Sequence, residues 1–174
     1  MKIFLATFTL LINYALVFSQ NKNTSSIAGI RKIVQQINTD TGYIVKQLNT
    51  EEFLKEAPDN GAELKGYFKK DRLVKITEWI GLSSCVNITE YYLDAGKLLF
   101  TYTKGSQSPY NDSLQTLDDT KSDLTMEYRF YFENGKLIHS ILKGSSRCSG
   151  EPSIALAAGI LKDCERYKKL LLKK

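Results

Sequence analysis

The amino-acid sequence predicts an α+β fold: an N-terminal helix, a six-stranded antiparallel meander of three repeated hairpins, and a C-terminal helix. The first observation is the dipeptide Asn134-Gly135 between two β-rich runs, since both residues tolerate the positive φ of a two-residue hairpin turn. The second is that the same pattern recurs over residues 92–105 and, more weakly, over 67–76. The third is helical periodicity at both ends, and we expect both helices to pack on one face of the sheet.

The N-terminal residues predict export. Lys2 provides a positive start, residues 3–18 are almost wholly apolar, and Ser19 is a small residue at a plausible cleavage position. We therefore expect a signal peptide over residues 1–19 and a single α+β domain over residues 20–174, located in the periplasm or outside the cell. The alternative is an uncleaved membrane anchor. Few basic residues follow the apolar run, and this argues against an anchor.

Apolar residues at three- and four-residue steps predict the first helix. The pattern begins after Ser26, a suitable capping residue, and continues to Leu48, which corresponds to about five or six turns. Gly42 and the polar run 39–41 weaken the middle of this helix and favour a break there. The segment 58–61 (Pro-Asp-Asn-Gly) then ends the helical region.

Three strand pairs follow, and the last of them leads to a second helix capped by Ser153. A single long loop, residues 105–122, separates the second pair from the third. The predicted hairpins are 63–69 with 72–80, 85–93 with 98–104, and 123–132 with 137–143.

Period-two alternation assigns the strand residues to two faces. Counted from the Asn134-Gly135 turn, one face is apolar and includes His139, so we expect this only histidine to be a packed core residue. The opposite face is predicted to be exposed and able to bind a peptide, a glycan or a partner protein. Ordinary cross-strand pairing on a solvated sheet is the alternative. The candidate ligand-binding residues of this face are Tyr92, Tyr131, Arg129, Glu90, Thr101 and Thr103.

Catalytic and metal-binding signatures do not emerge from the sequence. One histidine and three scattered cysteines match no zinc spacing, and Gly81–Cys85 lacks the Gly-x-Ser-x-Gly spacing of a nucleophile turn. Glu90 and Glu127 on nearby strands resemble paired glycosidase carboxylates, although charged side chains on a solvated face explain them more simply. We therefore predict no catalytic residue, no metal and no cofactor.

The three cysteines allow one intramolecular disulfide in an exported chain. In a meander, the start of the third strand and the end of the sixth lie on the same rim, which favours Cys85–Cys148. Cys148–Cys164 remains the alternative, and either bond would contribute about 2–4 kcal/mol of stability.

The net charge of +5 does not indicate nucleic-acid binding. Residues 161–174 contain six basic and two acidic residues, which accounts for the excess that remains after Lys2 is removed. The rest of the chain is close to neutral, so no global field attracts it to polyanions, and we predict no transmembrane segment in the mature chain.

These observations favour a small exported, non-enzymatic binding domain that uses the Tyr-rich face or the 105–122 loop. One alternative is a hydrolase-like enzyme with a cleft between sheet and helices. Another is an envelope-associated structural protein whose basic tail contacts anionic surfaces.

Overall fold

The computed structural model describes residues 26–149 and 153–173. The predicted signal peptide, residues 1–19, lies outside the described residues. Within them the chain is α+β with a large antiparallel sheet and a helix at each end, as the sequence predicts. The first helix, α1, covers residues 26–39.

Seven strands form one antiparallel sheet in the described chain, in the order β1-β2-β3-β4-β5-β8-β9, and β6 pairs with β7 in a short separate hairpin. The predicted loop 105–122 therefore contains a hairpin of its own. The elements after α1 are β1 (Ile44–Asn49), α2 (Thr50–Phe53), β2 (Ala62–Lys69), β3 (Arg72–Leu82), β4 (Cys85–Asp94), β5 (Lys97–Gln107), β6 (Tyr110–Asn111), β7 (Thr116–Leu117), β8 (Asp123–Glu133), β9 (Lys136–Gly144) and α3 (Leu156–Leu172).

The edge strand β1 replaces the second half of the helix predicted to reach Leu48. Helix α1 ends at residue 39, and Gly42 has a φ of 74°, which takes the chain out of helical geometry. The next two apolar residues, Ile44 and Val45, are β-branched and suit a strand. β1 pairs with β2 along its whole length, so the predicted six-stranded meander has seven strands.

The two terminal helices pack on opposite faces of the sheet, so the prediction that they share one face is wrong. Tyr167 of α3 packs edge-on against Tyr91, with ring centroids 5.8 Å apart. Ile30 of α1 belongs to a separate apolar cluster that contains Tyr92. Adjacent strand residues point to opposite faces, and both faces here are apolar enough to need a cover. We call these the α3 face and the α1 face.

Each of the three repeated hairpins has a β-bulge just after its turn. The turns have two residues, as predicted, but one residue of each returning strand then lacks a partner opposite it. These unpaired residues are Val74, Leu99 and Ile138. A one-residue shift moves every following side chain to the other face.

The bulge in β9 places His139 on the face opposite to the one predicted. Because Ile138 is bulged, His139 lies opposite Tyr131 on the α1 face. Its side chain is exposed, and its ring centroid is 5.6 Å from that of Tyr131. The prediction of a packed core histidine is therefore wrong.

The disulfide is Cys85–Cys148, the pairing that the sequence favours, with a Cα–Cα distance of 6.3 Å. Cys164 is a free thiol buried in α3, and burial raises its pKa to about 12. None of the helices in the described ranges has the length and apolar run that crossing a bilayer requires.

Candidate functional site

Two tyrosines of the predicted binding surface are buried beneath α1. Tyr92 is 1% exposed and Tyr131 is 3% exposed. The Tyr92 hydroxyl donates to Glu90 Oε2 at 2.7 Å and lies 2.9 Å from Asn38 Oδ1 of α1. Arg31 of α1 donates to the Tyr131 hydroxyl at 3.4 Å. At these tyrosines the expected exposed face is a helix-packing surface.

Glu90 and Arg129 also lie on the α1 face, and both are partly buried. Each forms an ion pair: Lys75 lies 2.6 Å from Glu90, and Arg129 lies 2.9 Å from Glu127. The two carboxylates considered above as a catalytic pair are thus each bound to a neighbouring cation. This arrangement is typical of cross-strand pairing on a sheet.

Thr101 and Thr103, the last two residues of the predicted surface, lie on the opposite, α3 face. The bulge at Leu99 shifts β5 by one residue and turns both threonines over. Thr101 is 0% exposed, and its hydroxyl oxygen has no hydrogen-bond partner among the described residues. Thr103 lies 3.2 Å from the hydroxyl of Thr89 and lines a cavity.

This cavity lies between the α3 face and the N-terminal half of α3 and has a volume of about 470 Å³. That volume is within the roughly 300–1,000 Å³ of small-molecule sites. The strand register places its central floor residues side by side across β3, β4, β5 and β8. The side chains of the floor are Glu78, Thr89, Tyr91, Thr103, Met126, Tyr128 and Phe130.

The roof of the cavity is formed by α3, and Ser149 and Ser153 lie at its rim. Leu156 and Ile160 contribute apolar side chains. Gly159 contributes none, and a Cβ atom added there would have no neighbour within 4 Å. Gly159 therefore leaves open space at this position of the roof.

Glu78 places a carboxyl group in the floor, where two tyrosines hold it. The Tyr91 hydroxyl donates to its Oε2 at 3.3 Å, and the Tyr167 hydroxyl of α3 donates to its Oε1. Burial raises the pKa of Glu78, and the hydrogen bond from Tyr167 only partly offsets this effect. The carboxyl group is thus fixed in position and costly to ionise.

The charged side chains that line the cavity, among the described residues, are the two acids Glu78 and Asp163. Asp163 is 3.1 Å from Arg166, whose guanidinium also donates to the Phe53 carbonyl at 2.6 Å. Glu78 has no ion pair in the described chain. The cavity therefore combines two acidic groups, one of them without an ion pair, with aromatic side chains, in a protein whose net charge is positive.

A second cavity of about 520 Å³ lies at the end of the sheet where the hairpin turns meet α1 and α3. Its wall is apolar, and its charged residues have both signs: Asp71, Arg72, Asp94 and Lys168. Neither buried polar atom that lacks a partner in the described chain belongs to its lining. It is therefore the weaker candidate for a specific site.

Sequence reasoning missed Glu78, although its position carried a signal. Glu78 lies between Ile76 and Ile80 at the inward-facing steps of β3. An acidic residue at such a core position is rare unless it is paired or functional. The bulge at Val74 concealed this alternation, because it reverses the faces assigned from the turn.

The architecture defines an α+β protein with a seven-stranded meander covered by one helix on each face. No group of three or more His, Cys, Asp or Glu that could hold a metal ion occurs in the described ranges. Comparison with protein families, curated proteins and solved structures gave no match for this chain. Its function must therefore be argued from the site itself.

The raised pKa of Glu78 predicts a distinctive effect of the substitution Glu78→Gln on stability. The folded protein holds this proton more tightly than the unfolded chain, so the group favours folding at acidic pH. That contribution is lost as the pH rises through the folded pKa. Glutamine has nearly the same size and no charge, and its one oxygen can still accept a tyrosine hydrogen bond. We therefore expect Glu78→Gln to raise Tm by a few degrees at pH 7 and not at pH 4.

Differential scanning calorimetry between pH 4 and pH 8 measures this difference. Glu63→Gln is the matched control, since Glu63 is on the other face and pairs with Lys65 at 2.5 Å. If wild type and Glu78→Gln show parallel Tm curves over this range, Glu78 does not titrate as described.

Proposed function

We propose that this chain is an exported, non-enzymatic binding domain and that its ligand occupies the cavity between the α3 face and α3. The proposal keeps the class of function that the sequence favours and moves the site from the α1 face to the other side of the sheet. Tyr92 and Tyr131 are already used to hold α1, so they do not offer a free surface. The Cys85–Cys148 disulfide is compatible with export.

One observation carries the proposal: a cavity of small-molecule size combines aromatic walls with a few fixed polar groups. Close packing normally removes such space from the layer between a helix and a sheet. Here Gly159 keeps the roof open, and Glu78, Thr89 and Thr103 supply polar groups in the floor. Apolar walls contribute affinity and the polar groups orient the ligand.

A cavity-blocking variant tests this function. The probes are a set of aromatic fragments that includes neutral, cationic and anionic compounds. We expect binding of these fragments to shift the backbone NMR signals of β4, β5 and α3. The substitution Gly159→Leu should abolish these shifts, because Gly159 lines the cavity, a Cβ atom there would meet no atom within 4 Å, and the longer leucine side chain should occupy the space. Gly29→Leu is the matched control, since Gly29 of α1 also has no neighbour within 4 Å.

The result can exclude the proposal directly. Both substitutions replace a helical glycine by a better helix former, so both variants should fold. Fragment binding that survives Gly159→Leu, or that maps to the α1 face, would place the site elsewhere.

A hydrolase with its cleft at the same place is the second candidate, and the raised pKa of Glu78 favours it. A carboxyl group whose pKa is raised by burial holds its proton more tightly, which is a property of general acids. Both Glu78 oxygens accept tyrosine hydrogen bonds, which favours binding over proton transfer. Turnover of p-nitrophenyl glycosides or esters that disappears in Glu78→Gln and persists in Glu63→Gln would favour the enzyme.

A further inference from the structure

We propose that the cavity binds organic cations, in which an ammonium group is attached to an apolar body. This inference rests on the proposed function and names the chemical class of the ligand.

The charge of the lining favours a cation. Glu78 and Asp163 are its charged residues in the described chain; Arg166 forms its ion pair with Asp163 and acts on Glu78 only from a longer distance. A ligand ammonium group placed beside Glu78 would supply the ion pair that this carboxyl group lacks. Charge-assisted hydrogen bonds of this kind are about twice as strong as neutral ones.

Two buried polar atoms belong to residues that adjoin the lining without being part of it, and both could accept a hydrogen bond. The hydroxyl oxygen of Thr101 and the Oδ1 atom of Asn87 have no partner among the described residues. Thr101 lies between Tyr91 and Phe130 in one cross-strand row, and both of these line the cavity. Both unpartnered atoms are oxygens that can accept a hydrogen bond, as an ammonium group or a bridging water would require.

Asn87 lies outside the lining of the cavity and contacts its rim. Its amide nitrogen donates to the Ser149 hydroxyl at the rim of the cavity, at 3.3 Å, which leaves the oxygen free to accept. Such buried unsatisfied groups cost free energy, and a site that binds donors recovers it.

The aromatic residues of the cavity wall also favour an organic cation with an apolar body. Tyr91, Tyr128 and Phe130 supply apolar surface for the body of the ligand. Aromatic rings also attract cations electrostatically, most strongly in places from which water is excluded. A cation with an apolar body therefore uses both kinds of lining group.

Anions are disfavoured even though the first turn of α3 lies in the roof. A helix N-terminus attracts anions through its free amide groups. Here the amides of Leu156, Ala157 and Ala158 donate to backbone carbonyls within the turn, and that of Ala155 donates to the Ser153 hydroxyl. The roof thus has no free donor at these four amides.

Three aromatic probes of similar shape and different charge provide the test: 2-phenylethylammonium, 2-phenylethanol and phenylacetate. At pH 7 we expect the ammonium to bind at least about tenfold more tightly than the alcohol, and phenylacetate to bind more weakly than either. Isothermal titration calorimetry gives the affinities, and backbone NMR shifts in β4, β5 and α3 locate the binding.

The variant Glu78→Gln should lower ammonium affinity about tenfold and change the affinity for 2-phenylethanol much less. Asp163→Asn should have a smaller effect because Arg166 already pairs with Asp163, and Glu63→Gln on the other face should have none. The preference for ammonium should also decrease at acidic pH as Glu78 is protonated. The groups facing Glu78 are Tyr91 from β4 and Asp163, Arg166 and Tyr167 from α3.

The outcomes separate the two proposals. Equal binding of alcohol and ammonium, blocked by Gly159→Leu, would overturn the cation inference and leave the ligand cavity standing. An ammonium preference that persists in Glu78→Gln would also overturn it. If none of the three probes shifts the signals of the cavity, both proposals are wrong.

Discussion

Replacement of Tyr92 by alanine is expected to destabilise the protein by about 3–5 kcal/mol, the range for removal of a buried aromatic side chain. Tyr92 is 1% exposed, and its ring centroid is 5.6 Å from that of Phe100. Its hydroxyl group joins Asn38 of α1 to Glu90 of β4. Alanine would leave a cavity beneath α1 and remove the hydrogen bonds of the hydroxyl group to Asn38 and Glu90, both of which would keep Lys75 as a partner.

Urea unfolding followed by circular dichroism measures this loss, and two variants serve as controls. Tyr92→Phe keeps the ring and removes the hydroxyl, so we expect a smaller cost of about 1 kcal/mol. Tyr110→Ala should change the free energy of unfolding by less than about 0.5 kcal/mol, because Tyr110 is 54% exposed. If Tyr92→Ala unfolds at the same urea concentration as wild type, the Tyr92 side chain does not stabilise the packing of α1, and the prediction is wrong.

The sequence predicted the hairpin turns correctly because turn geometry depends on local residues. Asn134 and Gly135 have φ values of 51° and 73°, as a two-residue turn requires. The bulges that follow the turns depend on pairing between strands. The residue types at the bulged positions, Val74, Leu99 and Ile138, do not distinguish them from ordinary strand residues. An error of one residue there was enough to misplace two threonines and the histidine.

Burial on both faces of the sheet did have a signature in the sequence. Residues 91–93 and 98–100 are continuous apolar runs, which are typical of strands covered on both sides. Strict alternation along the same runs predicts one exposed face instead. The cavity could not be predicted in this way, because its volume depends on the distance between α3 and the sheet, which results from packing along the whole helix.

Loss of the Cys85–Cys148 disulfide is expected to destabilise the protein by about 4 kcal/mol. The bond closes a segment with a sequence separation of 63 residues, and the chain-entropy relation gives this magnitude for such a loop. It also joins the start of β4 to the segment after β9, where Ser149 lies at the rim of the cavity. We therefore expect the double variant Cys85→Ser, Cys148→Ser to bind 2-phenylethylammonium more weakly as well as to unfold at lower urea concentration.

Reducing agent and the third cysteine provide the controls for this prediction. Dithiothreitol should lower the stability of wild type to that of the double variant, and should leave the double variant itself unchanged. Cys164→Ala should remain sensitive to dithiothreitol, because Cys164 is a free thiol. If Cys164→Ala instead abolished the effect of dithiothreitol, the bond would be the alternative pair, Cys148–Cys164. That pair would tie α3 to the end of β9, and the rim of the cavity would then lose its link to β4.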